Sequence, residues 1–149
     1  MNAKLEKKLF DKYNFIHSKG IMQDAMYFGC QHGDGWYKIL DKLFGKIEKY
    51  FKLHPEDYKI HYDVEITECF RITTIKEKYS TLRVYTTWCV DEIDKWITEA
   101  EDASEYTCEE CGKVCKEKTA YRQVSDQAWM YNMCKECWNK HLKKVKKDA

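Results

Sequence analysis

Residues 108–137 read CEECGKVCKEKTAYRQVSDQAWMYNMCKEC, and this stretch decides how the C-terminal part of the chain folds. It begins and ends with a pair of cysteines that have two residues between them. Two intervening residues let one tight turn aim both sulfurs at a single point, and Gly112 suits the positive φ that such a turn can need. Four thiolates complete the closed tetrahedral shell of a structural zinc site. We therefore predict one structural Zn²⁺ bound by Cys108, Cys111, Cys134 and Cys137.

Other interpretations of these cysteines are open at the level of sequence. Cys115 or His141 could replace one of the four ligands, and nothing in the sequence favours either. The four thiols could also lie reduced in a small core without a metal ion. A catalytic zinc is not expected, because it needs an open coordination position and four cysteine ligands leave none.

The segments around the cysteines predict a treble-clef or zinc-ribbon-like module. Residues 119–124 and 127–133 favour a hairpin between the two pairs, and residues 138–142 favour a helix that carries the second pair. Thiolates at a helix N-terminus are stabilised by the helix dipole and its free N–H groups. We expect the module to span residues 106–149 and to pack rigidly on a domain of residues 1–105, because no Pro-, Gly- or Ser-rich linker separates them.

Toward the N-terminus, the sequence predicts an α+β domain. Apolar residues at the 3.6-residue period predict helices over 3–17, 21–31, 36–53 and 90–105. Alternating apolar and polar residues predict strands near 59–66, 69–78 and 81–89. Because these strands follow one another closely, we expect them to form an antiparallel meander. The predicted fold is α+β, with helices packed on a three-stranded antiparallel β-meander and the zinc module at the C-terminus.

The composition is that of a chain that builds a core. Of 149 residues, 44% are hydrophobic and 15% aromatic, which argues against disorder. The net charge of +1 gives no overall field of the kind that marks many nucleic-acid-binding proteins. No segment has the roughly 18 apolar residues of a membrane span and no signal peptide is visible, so we expect a cytoplasmic protein that does not enter membranes. In that compartment Cys30, Cys69 and Cys89 are predicted to be buried free thiols.

Two groups of lysines could contact the phosphates of a nucleic acid. The first is a stripe on one helix, formed by Lys38, Lys42, Lys46 and Lys49. The second lies near the end of the chain and consists of Lys143, Lys144, Lys146 and Lys147. Either group could instead be a solvent-exposed helix face that contacts no nucleic acid. Tyr121, Trp129 and Tyr131 could stack on bases or form the module's own core.

Two further features of the sequence have alternative interpretations. The turn Gly33-Asp34-Gly35-Trp36 could bind an anion at a helix N-terminus. We favour the other interpretation, in which Asp34 or Gly35 caps the helix and Trp36 anchors it in the core, because the turn is too short for a phosphate-binding fingerprint. The acidic face of the helix over 90–105 could dock a basic partner or simply face solvent.

An ordered series of short motifs runs along the chain. The motifs are Gly33-Asp34-Gly35-Trp36, Ile75-Lys76-Glu77-Lys78-Tyr79, Leu82-Arg83-Val84-Tyr85, Cys108-Glu109-Glu110-Cys111-Gly112 and Cys134-Lys135-Glu136-Cys137. Their order resembles that of a family of small uncharacterised zinc-finger proteins of bacteriophages and prophages. Ser80 stands where that family usually has glycine, and the lysine-rich segment after Cys111 is longer. The resemblance implies a zinc-binding α+β fold and a phage setting, and it implies no activity.

We therefore expect a non-enzymatic, zinc-stabilised phage accessory protein that binds a host protein, as a modulator of host transcription or an inhibitor of host defence. No catalytic residue is assigned, because the candidate bases and acids show no recognisable catalytic spacing: His17, His32, His54, His61, Asp34 and Asp63. The first alternative is a nucleic-acid-binding regulator that uses the finger and the two lysine groups. The second is a sponge for small nucleotides, which would need a pocket near Trp36 or the strands.

Overall fold

A computed structural model describes residues 1–16, 26, 29–61, 67–122 and 130–148. Within these ranges the chain has four α-helices and small β-sheets, which confirms the α+β class. The helices are α1 (Ala3–Lys12), α2 (Tyr37–Leu53), α3 (Asp91–Ser104) and α4 (Lys135–Asp148). The strands are β1 (Cys30–Gln31), β2 (Lys59–His61), β3 (Thr67–Cys69), β4 (Ile72–Lys78), β5 (Thr81–Thr86), β6 (Ala120–Arg122) and β7 (Met130–Asn132). No helix in the described ranges is both long and apolar enough to cross a lipid bilayer.

The first helix ends earlier than the predicted range 3–17. It ends at Lys12 because Tyr13 takes an extended conformation, with φ −121° and ψ 104°. This bend brings Phe15 into the core, where its carbonyl accepts a hydrogen bond of 2.9 Å from the N–H of Ile72. Packing against the sheet therefore ends α1 before its apolar period does.

The helices α2 and α3 confirm the predictions for 36–53 and 90–105. The inward face of α2 is an apolar stripe of Leu40, Leu43, Phe44, Ile47 and Phe51. The inward face of α3 consists of Ile93, Ile97, Ala100 and Ser104, and its first turn is acidic. The two helices pack side by side over the sheet, so their remaining faces are available to solvent.

The sheet differs from the predicted three-stranded antiparallel meander. β4 and β5 form the expected antiparallel hairpin, but the third strand of their sheet is β1, which runs parallel to β4. β1 occupies the end of the predicted helix over 21–31, so that end of the prediction is wrong; residues 21–25, 27 and 28 lie outside the described residues. β2 and β3 form a separate two-stranded sheet, and residues 62–66 of the predicted strand 59–66 also lie outside the described ranges.

The predicted strand over 69–78 is interrupted between β3 and β4. The interruption lies at Phe70, whose side chain is fully buried. Its ring packs against those of Phe51 and Trp88, with centroid distances of 5.0 and 5.6 Å. β3 pairs with β2, whereas β4 pairs with β1 and β5, so the chain passes from one sheet to the other at this point.

The turn between β4 and β5 shows which backbone conformation serine adopts at position 80. Tyr79 and Ser80 have φ values of 53° and 66°, and a two-residue hairpin turn of type I′ requires positive φ at both positions. Ser80 is held there by its N–H, which donates to the carboxylate of Glu77 at 2.6 Å. The turn thus keeps the geometry that suits glycine at a steric cost of about 1 kcal/mol.

The C-terminal module follows α3 directly. A tight turn holds the first cysteine pair, β6 and β7 pair antiparallel, and α4 begins at Lys135. The hairpin between the two cysteine pairs is confirmed, while residues 123–129, including Trp129, lie outside the described residues. The helix begins earlier than the predicted 138–142, so Cys134 directly precedes it and Cys137 lies in its first turn.

Candidate metal centre

Four cysteines come together in the C-terminal module. The Sγ atoms of Cys108, Cys111, Cys134 and Cys137 all lie within 4.8 Å of one another. The Sγ atoms of Cys111 and Cys134 are 3.8 Å apart. Cys108 and Cys134 are buried, whereas Cys111 is exposed. The group can hold one metal ion, and it consists of the four residues that the spacing predicted.

The first cysteine pair is shaped by backbone hydrogen bonds. The N–H of Gly112 donates to the carbonyl of Cys108 at 2.8 Å, and the N–H of Cys108 donates to the carbonyl of Lys113 at 3.0 Å. Gly112 has φ +74°, so the positive φ predicted for this position is confirmed. Together these bonds close a tight turn that aims two sulfurs at one point.

The second pair lies at the start of α4. The N–H of Trp138 donates to the carbonyl of Cys134 at 2.9 Å, which begins the helical hydrogen bonding. Burial works to raise the pKa of Cys134, but hydrogen bonds from the backbone and side chain of Cys137 and from its sulfur neighbours outweigh it, so this pKa is lowered. Burial raises the pKa values of Cys108 and Cys137. A cation bound among the sulfurs would favour the thiolate form of all four.

The turn that carries the first pair is in backbone contact with the turn before α2. The N–H of Gly35 donates to the carbonyl of Glu109 at 2.6 Å. A Cβ atom at Gly35 would lie 2.1 Å from the carbonyl oxygen of Cys108, and one at Gly33 would lie 2.3 Å from that of Glu109. Only glycine leaves room for this approach, so both glycines serve the metal centre although they lie far from it in sequence.

We call the contact between these two turns the junction. Trp36 stabilises it from within the core. Its side chain is fully buried, as predicted for an anchor, and its indole N–H donates to the carbonyl of Thr107 at 2.7 Å. The predicted capping role of Asp34 is wrong: its carboxylate accepts hydrogen bonds from the backbone and side-chain N–H groups of Asn2, both at 2.6 Å. No side chain caps the N-terminus of α2.

A buried asparagine joins the module to the rest of the chain. The side-chain amide of Asn132 donates to the carbonyls of Ser80 and Ser104, both at 2.7 Å, and its oxygen accepts from the hydroxyl of Thr119. Beside it, Glu109 is buried close to Glu77; burial and this second carboxylate raise the pKa of Glu109 to about 7. The sequence analysis missed Asn132, and no motif marks it. The roles of Gly33 and Gly35 were missed too, although their occurrence with the CEECG motif was a signal.

The two substitute ligands considered for the site lie outside the sulfur group. Among the described residues, neither Cys115 nor His141 has a ligand atom in the group whose members lie within 4.8 Å of one another. His141 stacks on Trp138 at 5.6 Å between ring centroids and lies 4.7 Å from the ring of Tyr131. Tyr131 therefore packs within the module, whereas the side chain of Tyr121 lies outside the described residues.

The lysines predicted to contact phosphates lie on two different helices. Lys38, Lys42 and Lys49 are exposed on α2, and Lys46 is half-buried there. Lys143, Lys144, Lys146 and Lys147 are exposed on α4, which buries none of its residues. The structure therefore forms two separate lysine-bearing faces.

The other cysteines and the candidate catalytic residues are scattered. Cys30 is buried, and burial raises its pKa to about 12. Cys69 and Cys89 are only half-buried, so complete burial was a wrong prediction for them. His32 is buried, whereas His54 lies near Glu56 and Asp57 on an exposed turn, an arrangement common without any ion. His17, Asp63 and the side chain of His61 lie outside the described residues.

The chain matches no protein-family model, no curated protein and no solved structure. What can be said of its function therefore rests on the chain's own sequence and geometry.

Proposed function

We propose that this chain is a non-enzymatic binding protein, stabilised by one structural zinc ion, that acts by binding another protein. The closed group of four cysteine sulfurs supports the structural role of the ion most directly. A fourfold thiolate shell leaves no coordination position for water or substrate, so an ion bound there supports the fold and performs no catalysis.

The spacing of the sulfurs is compatible with zinc as the ion. A tetrahedral Zn²⁺ bound to sulfurs at about 2.3 Å holds them about 3.8 Å apart. The distance of 3.8 Å between the Sγ atoms of Cys111 and Cys134 agrees with this value. The tight turn, the hairpin and the helix that present these ligands lead us to infer a treble-clef-type module.

The small core of the module explains why it would need the ion. Its buried apolar side chains in the described residues are Cys108, Met133 and Cys134. Such a core is too small to fold a segment of this length, whereas zinc binding to small fingers contributes about 10–16 kcal/mol. The ion would thus hold the turn that contacts Gly35, and through it the start of α2.

The proposed partner is a protein of a bacterial host, bound in the host cytoplasm. The motif series supports this, because it resembles proteins of bacteriophages and prophages, whose accessory proteins act on host machinery. Binding would modulate host transcription or inhibit host defence.

The zinc proposal is tested by two matched cysteine variants. Cys134→Ser removes one ligand, whereas Cys115→Ser removes a thiol of the same module that lies outside the sulfur group. We expect elemental analysis to find about one zinc per chain in the wild type and in Cys115→Ser, and a large loss of zinc and of thermal stability in Cys134→Ser. Equal zinc content in all three proteins would show that the site does not bind zinc through these residues.

The binding proposal is tested by affinity capture from a bacterial host lysate, with and without nuclease. We expect one protein to be recovered in stoichiometric amount in both arms, and to be lost when Cys134→Ser is the bait. Recovery only without nuclease would favour the nucleic-acid alternative. Absence of any stoichiometric protein in both arms would contradict the proposal.

The second candidate function is nucleic-acid binding through α4. It is favoured by one observation: α4 buries none of its residues, and its last two turns expose Lys143, Lys144, Lys146 and Lys147. Reversing these four charges should abolish binding to an oligonucleotide, and the affinity of the wild type should fall steeply with salt. The nucleotide-sponge alternative has less support, since Trp36 is fully buried and cannot stack on a base.

A further inference from the structure

A cleft runs between α2 and α3 and is lined by residues of both helices. Its volume is about 370 Å³. The floor is apolar and is formed by Ile39, Leu43, Ala100 and Ala103. The two alanines on α3 make the cleft deep on that side, because they leave space that larger side chains would fill.

One wall of the cleft is a row of lysines. Lys38, Lys42 and Lys46 follow one another at four-residue intervals on α2. At a helical rise of 1.5 Å per residue they are spaced about 6 Å apart, and the row is about 12 Å long. The opposite wall carries Glu99, which pairs with Lys46 at 3.1 Å. Among the described residues, Lys38 and Lys42 have no ion-pair partner, so two positive charges of this wall are unneutralised.

The end of the cleft exposes apolar side chains of the C-terminal module. Val114 is 74% exposed and Tyr106 39% exposed, and both line the cleft. An exposed β-branched side chain and an exposed aromatic ring at the end of an apolar floor form a continuous apolar surface. Surfaces of this kind are more often binding sites than solvated faces.

We propose that this cleft binds an amphipathic helix of the partner protein, with acidic residues at four-residue intervals along one edge of its apolar stripe. Carboxylates at positions i, i+4 and i+8 of a helix are also about 6 Å apart, so they match the lysine row in spacing and in charge. The apolar stripe then covers Ile39, Leu43 and the alanines, as in other helix-in-groove complexes. This inference rests on the proposed protein-binding function, because it names the surface and the class of partner.

A nucleic acid fits the cleft less well than an acidic helix. Its phosphates would meet the lysines but would leave the apolar floor uncovered. The guanidinium groups that recognise phosphate with two hydrogen bonds are also missing, since every basic residue that lines the cleft is a lysine.

The test selects the occupant from a displayed library of helical peptides of about 18 residues. The wild-type protein is the bait; the double variant Lys38→Glu, Lys42→Glu is kept out of the selection and is used only in the binding measurements. The two highest-ranking peptides are then synthesised, labelled and measured by fluorescence anisotropy. The control is Lys4→Glu, Lys52→Glu, which makes the same change of net charge at exposed helical positions outside the cleft.

We expect the selected peptides to carry Asp or Glu at four-residue spacing beside an apolar stripe. Their affinity should fall at least tenfold in the double variant and change less than twofold in the control. A third variant, Ala103→Trp, fills the cleft without changing charge and should also weaken binding at least tenfold. Zinc content is measured for every variant, so that loss of the module is not mistaken for loss of the cleft.

Three outcomes would overturn the inference. The selected peptides could lack the acidic spacing, could bind the cleft variants as well as the wild type, or could be outcompeted by a 20-nucleotide single-stranded DNA whose own binding needs Lys38 and Lys42. If one of these occurs while affinity capture still recovers a stoichiometric protein, the cleft is wrong and the proposed function stands. If capture also recovers none, both fail.

Discussion

At the residue scale, the four clustered cysteines could be predicted and the residues that support them could not. The four cysteines follow from spacing alone, because two residues between thiols impose one local geometry. Gly33 and Gly35 contact the backbone of Cys108 and Glu109, which lie far along the chain. Such contacts depend on how two turns pack together in the folded protein, and a single sequence does not reveal which distant segments pack together.

Replacement of Gly35 tests how tight the junction is. In Gly35→Ala the new Cβ would lie 2.1 Å from the carbonyl oxygen of Cys108 and 2.5 Å from the N of Gly112, so one of two backbone segments must move. We expect a loss of about 3 kcal/mol or more in the free energy of unfolding, measured by chemical denaturation.

Gly45→Ala is the matched control for that substitution. Its Cβ would meet only the hydroxyl of Tyr13, at 3.5 Å, inside the helix α2. Because alanine favours the helix, this variant should gain about 0.5–1 kcal/mol. If both variants had the same stability, the close approach of the two turns would not be a feature of the folded protein.

The buried His32 predicts a loss of stability in acid. Its Nδ1 lies 2.7 Å from the carbonyl oxygen of Gly33, which can only accept, so Nδ1 carries the proton. Among the described residues Nε2 has no hydrogen-bond partner. Burial lowers the pKa of His32 from 6.5 to about 4.

Between these two pH values the unfolded chain binds a proton that the folded chain does not bind. Stability is therefore complete above about pH 6.5 and falls as the pH is lowered toward 4, by about 3 kcal/mol. His32→Asn keeps a donor for Gly33 without titrating, so its stability should fall less over the same range. Parallel curves for the two proteins, measured by denaturation at each pH, would count against this role.

At the element scale, local periodicity predicted the helices well and the sheet only in part. The stripes of α2 and α3 are long, so their period fixes type and position. The strands are short, and their pairing depends on long-range contacts: β3 pairs with β2 instead of continuing into β4, and β1 pairs with β4. Neither pairing is encoded in the alternation of any one strand.

β5 is an edge strand of its sheet, and side chains of α3 accept hydrogen bonds from its outer backbone N–H groups. This contact gives a prediction about α3. The hydroxyl of Ser104 accepts a hydrogen bond of 2.9 Å from the N–H of Leu82, and the carboxylate of Glu101 accepts one of 3.1 Å from the N–H of Val84. Ser104→Ala would leave a buried N–H without its acceptor, at a cost of about 1–3 kcal/mol.

Thr98→Ala serves as the control on the same helix. Thr98 is exposed and its hydroxyl bonds only to the carbonyl of Asp94 within α3, so the change should stay within about 0.5 kcal/mol. Thermal or chemical denaturation of both variants measures the two changes in the free energy of unfolding. A cost for Thr98→Ala equal to that of Ser104→Ala would remove any special role of the β5 edge.

At the scale of the whole molecule, the close packing of the C-terminal module on the preceding domain gives a testable coupling. The contacts of Gly35 with Glu109 and of Trp36 with Thr107 join the metal-binding turn to the start of α2. Because no linker precedes the first cysteine, the sequence predicted such packing. It did not indicate which surfaces contact each other.

Removal of the metal should loosen both sides of this junction. After treatment with a zinc chelator, we expect hydrogen exchange to quicken at residues 107–114 and also at residues 33–36, while the centre of α2 stays protected. The same measurement on Cys115→Ser with zinc bound gives the control. Faster exchange confined to 107–114 would mean that the two turns are not coupled.

The hydrogen bond between Trp36 and Thr107 also bears on how the protein is made. Donor and acceptor are 71 residues apart in sequence. At a synthesis rate of about 5–20 residues per second, the indole of Trp36 waits roughly 4–14 s for its acceptor to be translated. The contact between Trp36 and Thr107 therefore forms only after the whole of the intervening chain, including α2 and α3, has been synthesised.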